Sequence, residues 1–298
     1  MGKAGKGIIF TISGIVFMTM ICLQACAIGE WETGSIRHIS GFENVTFAIP
    51  GELIITEGDR ETLEIEALSS DLPNIVSEVR DGTLSIGRQG AEPFSPFRAP
   101  VFRLTVKKVA ALENHSSGRI TAGELSADTL RILISSSGGV TIDSLAAESL
   151  EVRISSSGSV RVAGDVNRQN ILLTSSGSYA GGQLESRSAI VRVSSSGSAT
   201  LRVSDSLEAV ISSSGDVRYY GNPPVKNLRV TSSGSAVRLG ELQRRKHANA
   251  TVALTAVAFA FAPPGRTRLP LAAVLAARSR PPRSLVSSPA RQESKSPT

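Results

Sequence analysis

Cysteine, histidine and aromatic residues are scarce in this chain, and each scarcity removes a class of function. Its two cysteines, Cys22 and Cys26, fall within the first thirty of 298 residues. Beyond Cys26 there is no thiol, which excludes a disulfide framework there and zinc held by Cys and His pairs. Only His38, His115 and His247 could serve as an imidazole base, and they do not suggest a Ser, His and acid constellation. Aromatics make up 4% of the residues, few for stacking sugar rings. No phosphate-binding or dinucleotide-binding glycine motif opens a helix. Catalytic, cofactor-binding and metal-binding residues are therefore expected to be none.

What the chain does have is a repeat. Ser-Ser-Gly recurs with its glycine at Gly118, Gly138, Gly158, Gly177, Gly197, Gly215 and Gly234, in steps of 20, 20, 19, 20, 18 and 19 residues. Four residues before the glycine stand Ile134, Ile154, Leu173, Val193, Ile211 and Val230, with Asn114 in the first copy. Two residues after it come Ile120, Val140, Val160, Tyr179, Ala199, Val217 and Ala236. Alternate strand residues point to opposite faces, so Val152 and Ile154 belong inside while Glu151 and Arg153 point out. A unit this short cannot bury its apolar face alone, and stacking successive units as parallel coils is the solution. The expectation is an all-β, single-stranded parallel β-helix of about seven coils. Each glycine would turn a corner at positive φ, and the serines before it would stack into a hydroxyl ladder.

Ahead of the array, "FENVTFAIPGELIITEGDRETLEIEA" alternates like paired strands joined by polar turns, and Asp81-Gly82 marks a tight turn inside "SEVRDGTLSIGR". The stretch "GAEPFSPFRAP" reads as a proline-rich connection. This segment is placed to cap the first apolar layer. With the iterated "SSSGSV" and "SSGDV" rungs that follow, it resembles the auto-transporter adhesin head GIN domain family over about residues 36–243. That resemblance implies a β-helical fold, a location in the bacterial envelope and no established activity.

Residues 1–25 carry Lys3, Lys6 and an apolar run ending in "LQAC", the layout of an export signal. Cys26 resembles the lipid-attachment cysteine of a bacterial lipoprotein, with residues 26–35 as a linker. The membrane is thus an expected partner through acylated Cys26, in an exported protein of the cell envelope. Residues 244–298 hold ten Lys or Arg and one acid, a formal charge of +9, leaving −3 for residues 1–243 of the whole-chain +6. The basic balance thus belongs to the tail, and nucleic-acid binding by the folded part is not expected. The abrupt shift to Ala, Arg and Pro in the tail reads as an out-of-frame continuation, with a disordered tail as the alternative.

The leading functional expectation is a non-enzymatic binding, adhesion or structural module with an envelope protein or glycan as partner. The alternative is a polysaccharide-active β-helix enzyme, a lyase or hydrolase, which would need clustered carboxylates or a basic residue in a groove. The acids Glu124, Asp128, Asp143, Glu148, Glu151, Asp165, Glu185, Asp205 and Glu208 are instead spread along the rungs. Only Asp216 directly follows its glycine, too little for a calcium ladder. Tyr219 is expected inside, and Tyr220 as an exposed contact.

Overall fold

The computed structural model describes residues 31–90 and 98–241. Seventeen strands in one continuous sheet account for most of them, and the helical content is a single 3-10 turn at Leu72–Asn74. The first seven strands are β1 (Trp31–His38), β2 (Asn44–Phe47), β3 (Glu52–Glu57), β4 (Thr62–Leu68), β5 (Ile75–Arg80), β6 (Thr83–Arg88) and β7 (Val101–Val106). The array follows as β8 (Ala111–Asn114), β9 (Arg119–Ile134), β10 (Gly139–Ile154), β11 (Ser159–Leu173) and β12 (Ser178–Val193). Its coils then shorten into β13 (Ser198–Arg202), β14 (Ser206–Ile211), β15 (Asp216–Tyr220), β16 (Val225–Val230) and β17 (Ser235–Gly240).

Each array strand pairs in parallel with its equivalent one repeat away, as Ile134 with Ile154 and Ile154 with Leu173. The coil has a face A after each Ser-Ser-Gly corner, a face B before it, and a short third side around Leu125, Leu145 and Val166. Seven corners bound six intervals, and the solenoid makes about six turns, one fewer than the corner count suggests. The aliphatic column is inside through Ile211: Ile134, Ile154, Leu173, Val193 and Ile211 are all at most 1% exposed, whereas Val230, on the last described rung, is 41% exposed because no later described rung covers it. Burying such a side chain contributes about 1.5–3 kcal/mol. Stacked rung on rung, they form one core along the solenoid.

The Ser-Ser-Gly corner departs from the sequence expectation in two ways. None of the seven glycines has positive φ. Glycine is required because the corner packs directly on the rung before it. A Cβ on Gly158 would overlap Ile134 Cγ2 and lie 2.7 Å from Gly138 O, and one on Gly177 would overlap Ile154 Cγ2 and lie 2.9 Å from Ser156 O. Positive φ occurs instead at Gly164 (122°) and Gly221 (99°), between face A and the third side. Nor do the paired serines form a hydroxyl ladder. Ser137, Ser157, Ser176, Ser196 and Ser214 point to solvent, while the ladder is made by backbone. Gly118 O accepts from Gly139 N, Gly138 O from Ser159 N and Gly158 O from Ser178 N, at 3.0–3.2 Å. In the first copy Ser116 Oγ donates to Ile49 O of the neighbouring layer at 2.8 Å. In later copies the hydroxyls before the corner that reach the neighbouring rung sit three before the glycine, as Ser155 Oγ donating to Ile134 O at 3.4 Å. At that length such bonds add little.

Asn114 is the exception in the aliphatic column, and it is fully buried. Its Nδ2 donates to Gly118 O at 2.7 Å and its Oδ1 accepts from Ser116 N at 3.0 Å, so its polar atoms are satisfied. A second buried polar group lies where the coils shorten. Tyr179 Oη donates to Gln169 Oε1 at 2.8 Å, Gln169 Nε2 to Ser186 Oγ at 2.7 Å, and Ser186 Oγ to Arg202 O at 2.7 Å. Burial pushes the Tyr179 phenol well above its ordinary pKa.

The N-terminal segment is more than a cap. β2 and β3 do not pair with each other. They form a coil layer joined at Gly51, which is stacked on β8 and β9 on one side and on β6 and β7 on the other. Phe47, four residues before Gly51, is fully buried and meets Phe102 edge to face at 5.5 Å between ring centroids. Antiparallel β4, β5 and β1 close this end. Asp81 (φ 49°) and Gly82 (φ 72°) form the tight turn between β5 and β6, as the sequence indicates.

Candidate functional site

The outer surface of face B gathers the most varied side chains of the array. Parallel, in-register pairing places equivalent outward residues in columns along the solenoid. Five residues before each glycine from Gly138 on, the column reads Leu133, Arg153, Leu172, Arg192, Val210 and Arg229, with Glu113 at that position before Gly118. Seven before it the column reads Arg131, Glu151, Asn170, Ile190, Glu208 and Asn227. The two columns, continued by Ala111, Glu113, Asn44, Thr46 and Thr83, line a shallow trough of about 680 Å³ that reaches Arg192.

The carboxylates bordering this trough are spoken for. Glu151 Oε2 lies 3.1 Å from Arg131 Nε, Glu208 Oε1 lies 3.6 Å from Arg192 Nη2, and Glu113 Oε2 lies 3.0 Å from His115 Nε2. These pairs are half exposed, so each contributes well under about 1 kcal/mol and can be exchanged for a ligand. Arg153 and Arg229 pair with no acid among the described residues. Leu133, Leu172 and Val210 are half-buried between the arginines. The surface can therefore hold anionic groups beside apolar patches, with Asn170 and Asn227 able to donate and accept hydrogen bonds.

Sequence-based expectation gave no His-based relay, yet the fold brings one set of the right atoms together. His115 Nδ1 lies 2.6 Å from Ser135 Oγ and His115 Nε2 3.0 Å from Glu113 Oε2. All three sit at the surface, the His115 and Glu113 side chains being 36% and 38% exposed. The Ser135 amide is used in the ladder to Asn114 O, and water reaches the hydroxyl freely. The arrangement ties two rungs together in the column where later copies carry Ser or Thr.

Tyr219 is 5% exposed, inside as the alternation requires. Tyr220 is only half-buried and lies over Gly182. The remaining acids named from the sequence stay distributed: Glu148 meets Arg168 at 3.3 Å and Glu185 meets Arg202 at 3.1 Å. Cys26, the expected export signal of residues 1–25, His247 and the basic tail lie outside the described residues. The alternation of arginine and aliphatic residues on face B was missed from sequence, although it is present at a fixed five-residue offset from the glycines.

The repeat, the corner geometry and the capping layer agree with a family model described as "Putative auto-transporter adhesin, head GIN domain", which matches residues 41–223. The chain belongs to this family. Three solved structures share its fold. One, from Bacteroides fragilis and described as a "putative adhesin", is 20% identical, covers 70% of this chain and 97% of its own, and superposes with a TM-score of 0.68. A "Putative lipid binding protein" from Parabacteroides distasonis is 20% identical, with 71% and 98% coverage and a TM-score of 0.58. A "putative adhesin" from Parabacteroides merdae is 17% identical, with 71% and 97% coverage and a TM-score of 0.56. No curated protein matches the sequence significantly.

Proposed function

We propose that this protein is a non-catalytic binding module of the bacterial cell envelope, held there by a lipid on Cys26 and engaging its partner, a glycan or an envelope protein, along face B. The observation that carries the reading is the trough: one outward face of a rigid solenoid presents arginines, aliphatics and asparagines in register over several rungs. Membership of a family described as an adhesin head supports binding rather than turnover. In the proposed organisation residues 1–25 are a lipoprotein-type signal, 26–35 a linker, 36–243 the solenoid domain and 244–298 an atypical tail.

Binding and anchoring are tested separately. The full chain is titrated against envelope protein fractions and purified polysaccharides while soluble products are assayed in the same samples. Saturable binding without turnover is expected. Turnover abolished by Ser135→Ala would show that the His115 arrangement is a hydrolytic centre and would overturn the reading. For the anchor, cells expressing the full chain are fed labelled palmitate. Label is expected in the wild type and in Cys22→Ser, and none in Cys26→Ser; label persisting in Cys26→Ser would contradict lipid attachment at Cys26.

A further inference from the structure

On face B the cations do not form a continuous strip. Arg153, Arg192 and Arg229 occupy every second rung, and Leu133, Leu172 and Val210 occupy the rungs between. With rungs about 4.8 Å apart, successive arginines recur about every 9.6 Å along the solenoid. The columns are fixed by the parallel register, so this spacing is a property of the fold rather than of side-chain rotamers.

We propose that face B binds an anionic polysaccharide lying along the solenoid, with one acidic group per disaccharide. The proposal rests on the binding reading above and names its ligand class. An extended disaccharide is about as long as two rungs, so an acidic group on alternate sugars meets one arginine after another. The apolar faces of the intervening sugars rest on Leu133, Leu172 and Val210, and Asn170 is placed beside the column to hydrogen bond sugar hydroxyls. Arg153 has no competing acid among the described residues, and the Arg192 to Glu208 pair, at 3.6 Å and half exposed, is open to exchange. Arginine suits carboxylate and sulfate because its guanidinium can donate two parallel hydrogen bonds.

The spacing argues against the other common polyanion. Phosphates of one DNA strand recur about every 3.4 Å of helix axis, a spacing that does not match one arginine on every second rung.

The test uses the full chain with hyaluronan, which carries a carboxylate on alternate sugars. Polygalacturonate (a carboxylate on every sugar), neutral chitin oligosaccharide and duplex DNA serve as comparisons. Hyaluronan is expected to bind best, with an affinity that falls as salt rises. The double variant Arg153→Gln, Arg192→Gln should bind it about tenfold more weakly, since removing one exposed charge pairing weakens affinity severalfold. The double variant Arg119→Gln, Arg161→Gln, on the outward side of face A, should leave binding unchanged. Matched melting temperatures for the two double variants confirm that folding is not what changed. Equal or tighter binding of polygalacturonate, chitin oligosaccharide or DNA would overturn the spacing argument, and hyaluronan binding indifferent to Arg153→Gln, Arg192→Gln would overturn the assignment to these arginines. Saturable binding of envelope proteins with no polysaccharide bound would sink this proposal and leave the binding module standing. Failure of all probes and all envelope fractions would sink both.

Discussion

Gly158 and Tyr179 show how single residues are held by the neighbouring rung. An alanine at Gly158 would drive its methyl group into Ile134 Cγ2 and toward Gly138 O, so Gly158→Ala should cost about 1–3 kcal/mol of unfolding free energy. Ser157→Ala, at a solvent-facing hydroxyl, should stay within about 0.5 kcal/mol. Equal losses in denaturant titrations would mean that the corner does not interlock as described. Tyr179 supplies a pH dependence. Its folded pKa is raised by burial, so above about pH 10 the unfolded state ionises first. The Tyr179 contribution is therefore fully present below that pH and lost as pH rises. The stability of the wild type relative to Tyr179→Phe should fall through this range, and a difference independent of pH would contradict it. The inward column was legible at this scale because the spacing from the glycine states it directly. The reason for glycine was not, since positive φ and a forbidden Cβ leave the same letter in the sequence. Gln169 was hidden as well: a polar residue in the column of Leu150 and Ala189 reveals its burial only when Tyr179 and Ser186 are seen to satisfy it.

The last described rung contrasts with those before it. Lys226 follows Leu207 in an inward column, and Arg238 follows Tyr219. Arg238 donates to Gly221 O at 2.6 Å, and Lys226 Nζ lies 3.3 Å from Asn222 Oδ1. A charge at an inward position disfavours pairing of one strand edge with another molecule. Lys226→Leu combined with Arg238→Leu should therefore promote association, seen as a larger sedimentation coefficient that grows with concentration. A double variant as monodisperse as the wild type would show that these charges do not guard the edge. At this scale Ser-Ser-Gly made the array readable, but the coil of β2 and β3 went unrecognised. Its corner is Ala48-Ile49-Pro50-Gly51, which keeps the inward Phe47 four residues before the glycine and lacks the serines that mark the other copies. The order of layers was also beyond the sequence: β2 and β3 lie between β6 and β7 on one side and β8 and β9 on the other, an arrangement decided by packing and not by chain order.

For the whole molecule, the sequence shows an array with a near-neutral to acidic folded part and a basic tail, while leaving the binding surface undefined. Arg153 and Glu151 were both legible as outward residues. That they belong to the same trough as Leu172 and Asn170 depends on register across several rungs and on which face each column occupies. The account's central claim is that face B is the binding surface, whatever the ligand. Asn170 is exposed near the middle of the trough, so Asn170→Trp should obstruct a glycan or a protein there without disturbing the core. The most direct measurement is the binding isotherm of this variant for envelope material, taken beside Arg161→Trp on face A. The account predicts lost binding for Asn170→Trp, intact binding for Arg161→Trp and the same melting temperature for both. Intact binding for Asn170→Trp with binding lost in Arg161→Trp would contradict it and move the site to face A.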